Sequence, residues 1–211
     1  MGLSYKNSGT QNVVSKSSCS GANNGYIFPR TDDGWINFNM YITTGGEWKV
    51  ISSPFPSLNT WHHLAATYDG ANIKLYLDGA LVKTQAATGA IEVNTNVLCI
   101  GDQPGCNEYF GGNVDEVRIW NIARTQSEIQ NAMNTALAGN EAGLVAYYTF
   151  NQGIAGAINT GVTILTDKTS NANNGALNNF ALSGASSNWV SGTSLATNAP
   201  SALKYSVVRI Q

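Results

Sequence analysis

Bond-breaking chemistry in this chain would have to come from its thirteen carboxylates and two histidines. Their spacing argues against it. A glycosidase that retains configuration needs two carboxyl groups about 5–5.5 Å apart, and one that inverts needs them about 6.5–9.5 Å apart. Asp115 and Glu116 are the only close acidic pair on a predicted strand, and adjacent strand residues point to opposite faces. Glu47, Glu92, Glu108 and Glu141 fall in or near predicted turns, with no partner at that spacing. His62 and His63 are consecutive on a predicted strand, so one is expected to be buried and hydrogen-bonded and the other exposed. The sequence holds no Ser/His/Asp signature, metalloprotease motif or phosphate-binding loop. It reads as non-catalytic.

Two other placements point to binding. Asp115 shares an alternating face with Val117 and Ile119, and that face reads as core. A carboxylate pointing into a core is costly unless hydrogen bonds or a cation compensate it. The second placement lies in residues 35–41, where Ile36, Phe38 and Met40 form one face and Trp35, Asn37, Asn39 and Tyr41 the other. Trp48 lies in the next predicted strand. Glu116 and Arg118 point away from Val117 and Ile119, toward an expected solvent-facing surface. Aromatic rings stack on the C–H faces of sugars, and amides and guanidinium groups bind hydroxyls. Trp35, Asn37, Asn39, Tyr41, Trp48 and Arg118 are thus candidate ligand-binding residues. The plainer alternative is that such side chains simply cover the outside of a β-sandwich.

The elements that must position these groups are short strands. They are expected at residues 12–16, 26–29, 35–41, 48–52, 61–68, 73–77, 81–85, 97–101 and 114–120. In residues 73–77 and the following Asp78, Ile73, Leu75 and Leu77 face inward and Lys74, Tyr76 and Asp78 outward; Asp78-Gly79 is a two-residue hairpin signal, and Pro54 and Pro56 stop pairing. After Trp120 comes one short helix. Thr125 is its N-cap, Glu128 completes a capping box, and Ile129 and Met133 form its apolar stripe. Near-regular strands, Gly-containing turns and one helix predict an all-β, two-sheet antiparallel sandwich.

Composition narrows the setting. The chain has 211 residues, 43% of them hydrophobic, enough for a sizeable core. Charged residues make up 11%, against roughly 25% in ordinary soluble domains, so the surface must be largely Asn, Ser, Thr and Gly. The net charge is −2 with no basic run, which makes nucleic acid and anionic membrane poor partner expectations. No apolar run approaches a membrane span, and the polar start is not a signal peptide. Cys19, Cys99 and Cys106 match no zinc spacing. One disulfide with one thiol left over, or three reduced thiols, both remain open.

Residues 112–120 followed by Ser127-Glu128-Ile129 resemble the closing segment of laminin-G-like, pentraxin-like domains of the concanavalin A-like lectin/glucanase superfamily. Residues 60–79 (TWHHLAATYDGANIKLYLDG), Leu98-Cys99-Ile100-Gly101 and residues 143–150 (GLVAYYTF) agree. The resemblance covers most of residues 12–150 and implies a jelly-roll sandwich. It also implies that Asp115 occupies the position of a final-strand Asp that many members use for a structural Ca²⁺. Hydrolases of the superfamily place their acidic pair on one strand face, a spacing lacking here.

The reading that results is a secreted or cell-surface, non-catalytic module that binds a polysaccharide or glycan, with Ca²⁺ at Asp115. The alternatives are an adhesive or spacer module touching other domains of a larger surface protein, and a glycoside hydrolase. Residues 1–143 are expected to form the main body. Residues 144–211 are expected either to fold back and complete it, with residues 205–210 as a last strand, or to begin a following repeat.

Overall fold

The computed structural model describes residues 9–19, 24–58, 60–183 and 189–191, and the backbone of Lys204–Val208. In chain order come β1 (Gln11–Lys16), β2 (Tyr26–Arg30), β3 (Trp35–Ile42), β4 (Glu47–Pro54), β5 (His63–Tyr68), β6 (Asn72–Leu77) and β7 (Ala80–Ala86). Then follow β8 (Cys99–Ile100), β9 (Val117–Trp120), helix α1 (Gln126–Ala132), β10 (Leu144–Tyr148), β11 (Ile164–Leu165), β12 (Gly175–Ala176) and β13 (Lys204–Val208). One sheet runs β4-β3-β2-β1-β8; a second runs β10-β9-β13-β5-β6-β7. No helix among the described residues is long and apolar enough to cross a membrane.

Strand alternation builds the core. Ile36, Phe38, Met40 and Ile42 of β3 face inward, with Phe28, Ile51 and Val14 from the neighbouring strands. Leu64, Ala66, Ile73, Leu75, Val117 and Ile119 meet them from the second sheet. Among the described residues the named strands pair antiparallel except at β13, which runs parallel to both β5 and β9. The residues beyond Val208 of the expected last strand lie outside the described residues. The segment after Gly143 meets the same core: β10 pairs with β9, and Leu165 is buried with the main cluster. The loop that follows β11 wraps the carboxylate of Asp167. Asp167 accepts hydrogen bonds from the backbone N–H groups of Tyr147, Thr169 and Asn173, each at 2.9 Å.

Three expectations are corrected here. Glu116 adopts a left-handed φ of 56°, which breaks the alternation before β9 begins. Val114, not Asp115, packs against the core with Val117 and Ile119. Asp115 is half-buried and accepts the Glu116 N–H at 2.9 Å. Glu116 and Arg118 do not face solvent; each side chain is only 2% exposed. Tyr76, expected outward, is buried with Ala65 beneath Ile129 of the helix.

The helix explains the last two. Its capping box is complete: the Glu128 N–H donates to Thr125 Oγ1 at 3.3 Å, and Glu128 Oε2 accepts the Thr125 N–H at 2.8 Å. It docks on the β6–β7 turn, where Asp78 and Gly79 both have positive φ and Gly79 carbonyl accepts from Gln126 and Gln130. A Cβ at Gly79 would stand 2.9 Å from Met133 Sδ, so the turn needs glycine for contact as well as conformation. The helix carries no basic residue in its last turn. Arg118 serves that end instead, donating to the carbonyls of Ala132 at 2.9 Å and Thr135 at 2.6 Å. The same guanidinium pairs with Glu116 Oε2 at 2.8 Å, which also accepts the Tyr147 hydroxyl at 2.6 Å.

Thr125→Ala should cost about 1 kcal/mol, read as a lower denaturation midpoint at unchanged m; an unmoved midpoint would remove the capping role. Burial, and then the bond to Glu116, push the Tyr147 hydroxyl up to about 12, and burial followed by Asp167 pushes Tyr148 equally far. Unfolded tyrosines ionise near pH 10. Between about pH 10 and 12 the native state therefore holds protons that the unfolded chain has lost, and stability must fall as pH rises through that window. Melting temperature against pH checks this. Tyr147→Phe should soften the fall while costing about 1–3 kcal/mol at neutral pH, because Glu116 loses a donor in a buried site.

Candidate functional site

The outer face of the five-stranded sheet carries the expected binding residues. Trp35, Asn37, Asn39 and Tyr41 alternate with the core residues of β3. The register places Ser52 beside Asn37, Val50 beside Asn39 and Trp48 beside Tyr41. Tyr41 and Trp48 meet edge to face, with centroids 5.6 Å apart. Trp35 is 40% and Trp48 37% exposed. Toward β2 and β1 this face deepens into a cleft of about 350 Å³. Asn37, Asn39 and Trp48 line it, while Trp35 and Tyr41 flank it on the same strand face. Arg118 lies elsewhere, inside the Glu116–Tyr147 network of the other sheet, so the structure separates it from the cleft.

The opposite wall is the loop at residues 101–110. Its base closes through the Phe110 N–H to Gly101 carbonyl at 2.9 Å, and the Gly101 N–H to Val13 carbonyl at 2.8 Å. Ser15 Oγ donates to Asp102 carbonyl at 2.7 Å. Asn12 Nδ2 donates to Gln103 Oε1 at 3.0 Å and to Glu108 Oε2 at 2.5 Å. A Cys19–Cys106 disulfide joins this loop to the segment after β1, across 87 residues of sequence. That resolves the cysteine question: Cys99 is the free thiol. Burial, and then Asp102, push the Cys99 thiol up, so it stays protonated at neutral pH.

Two features fit a hydroxyl-bearing ligand. Asn37 Oδ1 and Asn39 Oδ1 are buried acceptors without a hydrogen-bond partner, and both residues line the cleft. Buried polar atoms are normally satisfied, so such orphans mark places where a donor is wanted. They sit beside an exposed indole that can stack. The cleft-lining Gln103 and Glu108 were not singled out from the sequence as binding residues, because a loop at residues 101–110 shows no periodicity to place it.

The Asp115 position is thinner as a metal site. Among the described residues no three of His, Cys, Asp and Glu converge, and Asp115 Oδ1 already serves the Glu116 N–H. Calcium there would draw most of its six to eight oxygens from carbonyls.

A laminin G family model, described as the concanavalin A-like lectin/glucanases superfamily, matches residues 3–130. The chain belongs to this superfamily. Over 80 residues it is 40% identical to pappalysin-1 of Mus musculus and 36% identical to that of Homo sapiens. Each match takes in 36% of this chain, which spans only 5% of the length of those curated relatives. A crystal structure of an S-layer domain-containing protein from Clostridium thermocellum shares 24% identity over 61% of this chain and 64% of that one, with a TM-score of 0.26.

One constellation in this laminin G-like sandwich escaped the sequence pattern. Ser57 Oγ stands 3.2 Å from His62 Nε2, and His62 Nδ1 stands 2.9 Å from Asp78 Oδ2. A Pro-flanked loop and a hairpin turn bring them together, which strand spacing does not reveal. The Ser57 carbonyl lies equally close to Nε2, at 3.2 Å. A ring N–H engaged there cannot also accept the Ser57 proton. Asp78 Oδ1 meanwhile holds the His63 N–H at 2.8 Å. The geometry is that of a clasp fastening the loop to the hairpin. His63, the buried member of the pair, starts β5, and His62 precedes it.

Closing an 87-residue loop is worth about 4–5 kcal/mol on the chain-entropy model. A reductant should therefore lower the melting temperature by roughly 10 °C or more for a domain of this size. Iodoacetamide at neutral pH should label the native oxidised protein slowly, the unfolded oxidised protein once, and the reduced unfolded protein three times. Rapid labelling of the native state would contradict the protected Cys99.

Proposed function

We propose that this chain is a non-catalytic, extracellular carbohydrate-binding module, carried among other domains of a larger surface protein. The observation that supports the reading best is the cleft at Asn37, Asn39 and Trp48. It joins orphaned amide acceptors to an exposed indole on a sheet face whose reverse side is core. The Cys19–Cys106 disulfide and the scarcity of charge favour an oxidising, extracellular setting. The part-length match to pappalysin-1 is in keeping with a module of a larger protein. For the Ser57–His62–Asp78 clasp, hydrolysis of p-nitrophenyl esters should not exceed that of His62→Ala.

A glycan array on the oxidised chain tests the binding. Trp48→Ala should weaken the positive interaction by about tenfold or more, since stacking of this kind contributes about 1–3 kcal/mol. Asn37→Ala should weaken it too, with little change in melting temperature. Failure to bind any glycan would favour an adhesive or spacer role.

Calcium at Asp115 belongs to the same proposal and rests on the family resemblance. Bound at 100 times its Kd, Ca²⁺ would stabilise the fold by about 2.7 kcal/mol, roughly 5–10 °C in melting temperature. Chelator should lower the midpoint, Ca²⁺ should restore it better than Mg²⁺, and Asp115→Asn should abolish the response. A metal-free elemental analysis of untreated protein would end the calcium part.

A further inference from the structure

We infer that the cleft takes an uncharged polysaccharide and rejects sulfated or uronic acid polymers; this rests on the carbohydrate reading above. Among the described residues that line the cleft none is Lys or Arg, and the one ionisable carboxylate is Glu108. Anionic polymers are held by basic side chains, often in bidentate pairs. Here the nearby cations are turned to other work. Lys16 Nζ donates to Asn96 carbonyl at 2.5 Å. Arg30 is buried with its guanidinium 5.0 Å over the Phe55 ring. Lys49 is paired with Glu47, on the strand position opposite Met40 rather than opposite Asn39.

Glu108 makes the exclusion active. Its Oε2 is fixed by Asn12 Nδ2 on the cleft wall, so a sulfate or carboxylate entering there meets a like charge in a partly desolvated site. What remains is suited to neutral groups. Asn37 Oδ1 and Asn39 Oδ1 lack donors, and a sugar hydroxyl or acetamido N–H supplies one. The two carbonyl acceptors lie on alternate residues of one strand, roughly 7 Å apart along it.

The same face also sets the length of ligand. Trp35 and Trp48 lie on it, Trp48 being paired with Tyr41. The six residue steps from Trp35 to Tyr41 cover roughly 20 Å of strand, with both indoles exposed. That is longer than one sugar unit, so an internal stretch of chain fits better than a terminal residue.

The test is calorimetric titration and affinity electrophoresis of the intact oxidised chain. The probes are uncharged polymers (β-glucan, mannan, xylan, galactan, chitin oligomers) and polyanions (heparin, chondroitin sulfate, polygalacturonate). At least one uncharged polymer should bind, with affinity changing less than about twofold as salt rises to roughly 0.15 M. The polyanions should not bind at low salt. Monosaccharides should bind at least about tenfold more weakly than longer oligomers. Trp48→Ala should lose binding and Trp48→Phe should keep most of it, which separates a lost stacking ring from a misfolded sheet. Polyanion binding that Trp48→Ala removes would overturn the inference while leaving the carbohydrate reading standing. Absence of binding to every polymer would overturn both.

Discussion

Arg118 holds a full positive charge at 2% exposure, and a single turn of backbone decides that it can. The left-handed φ of Glu116 ends the preceding loop and brings its carboxylate within 2.8 Å of the guanidinium two residues on. Tyr147 on β10 completes the pair from the neighbouring strand. Burying one charge alone would be severely unfavourable, and burying the pair is tolerable because further hydrogen bonds reach both terminal guanidinium nitrogens, although Arg118 Nε is left without a partner. Those further bonds go to the carbonyls at the end of α1. The ion pair therefore ties the helix to β9 and β10 at one end, while Gly79 holds it from the β6–β7 turn.

This anchoring makes the two outer surfaces of the sandwich unequal. Ile129 covers Ala65 and Tyr76 on the six-stranded sheet. Among the described residues the five-stranded sheet carries no helix, and its exterior mixes Trp, Tyr, Asn and Ser side chains with Ile27, Pro29 and Val50. A loop at residues 101–110 rises along one side of it, so a flat sheet becomes a walled cleft. The cleft is held in shape without moving parts. Floor residues sit on paired strands, and the wall is fixed by main-chain bonds and a covalent bridge.

Alternation was readable wherever the backbone stayed regular. The two faces of β3, the partner role of Trp48 and the capping box at Thr125 follow from period and spacing alone. Asp115 was misplaced because one residue with positive φ resets the phase before β9, and Glu carries no sequence signal for that conformation. Arg118 took the expected face of β9 and is buried because the end of α1 covers it. Tyr76 was misplaced because the period of a strand tells which face a side chain occupies, not what covers the face. Gln103 and Glu108 reach the cleft through long-range contacts to Asn12, about ninety residues away. Ser57, His62 and Asp78 converge from a loop and a turn, where periodicity says nothing. The choice among cysteine pairings needed coordinates for the same reason.

The bridge between Cys19 and Cys106 has a consequence for when the protein becomes competent. The floor of the cleft is secured by sheet hydrogen bonding, whereas the join between its two rims is a redox bond. In a reducing compartment the strands can pair and the core can form, yet that covalent join cannot be made. Passage into an oxidising space would then act as a maturation step, locking the two rims of the cleft together only after the chain has left a reducing compartment.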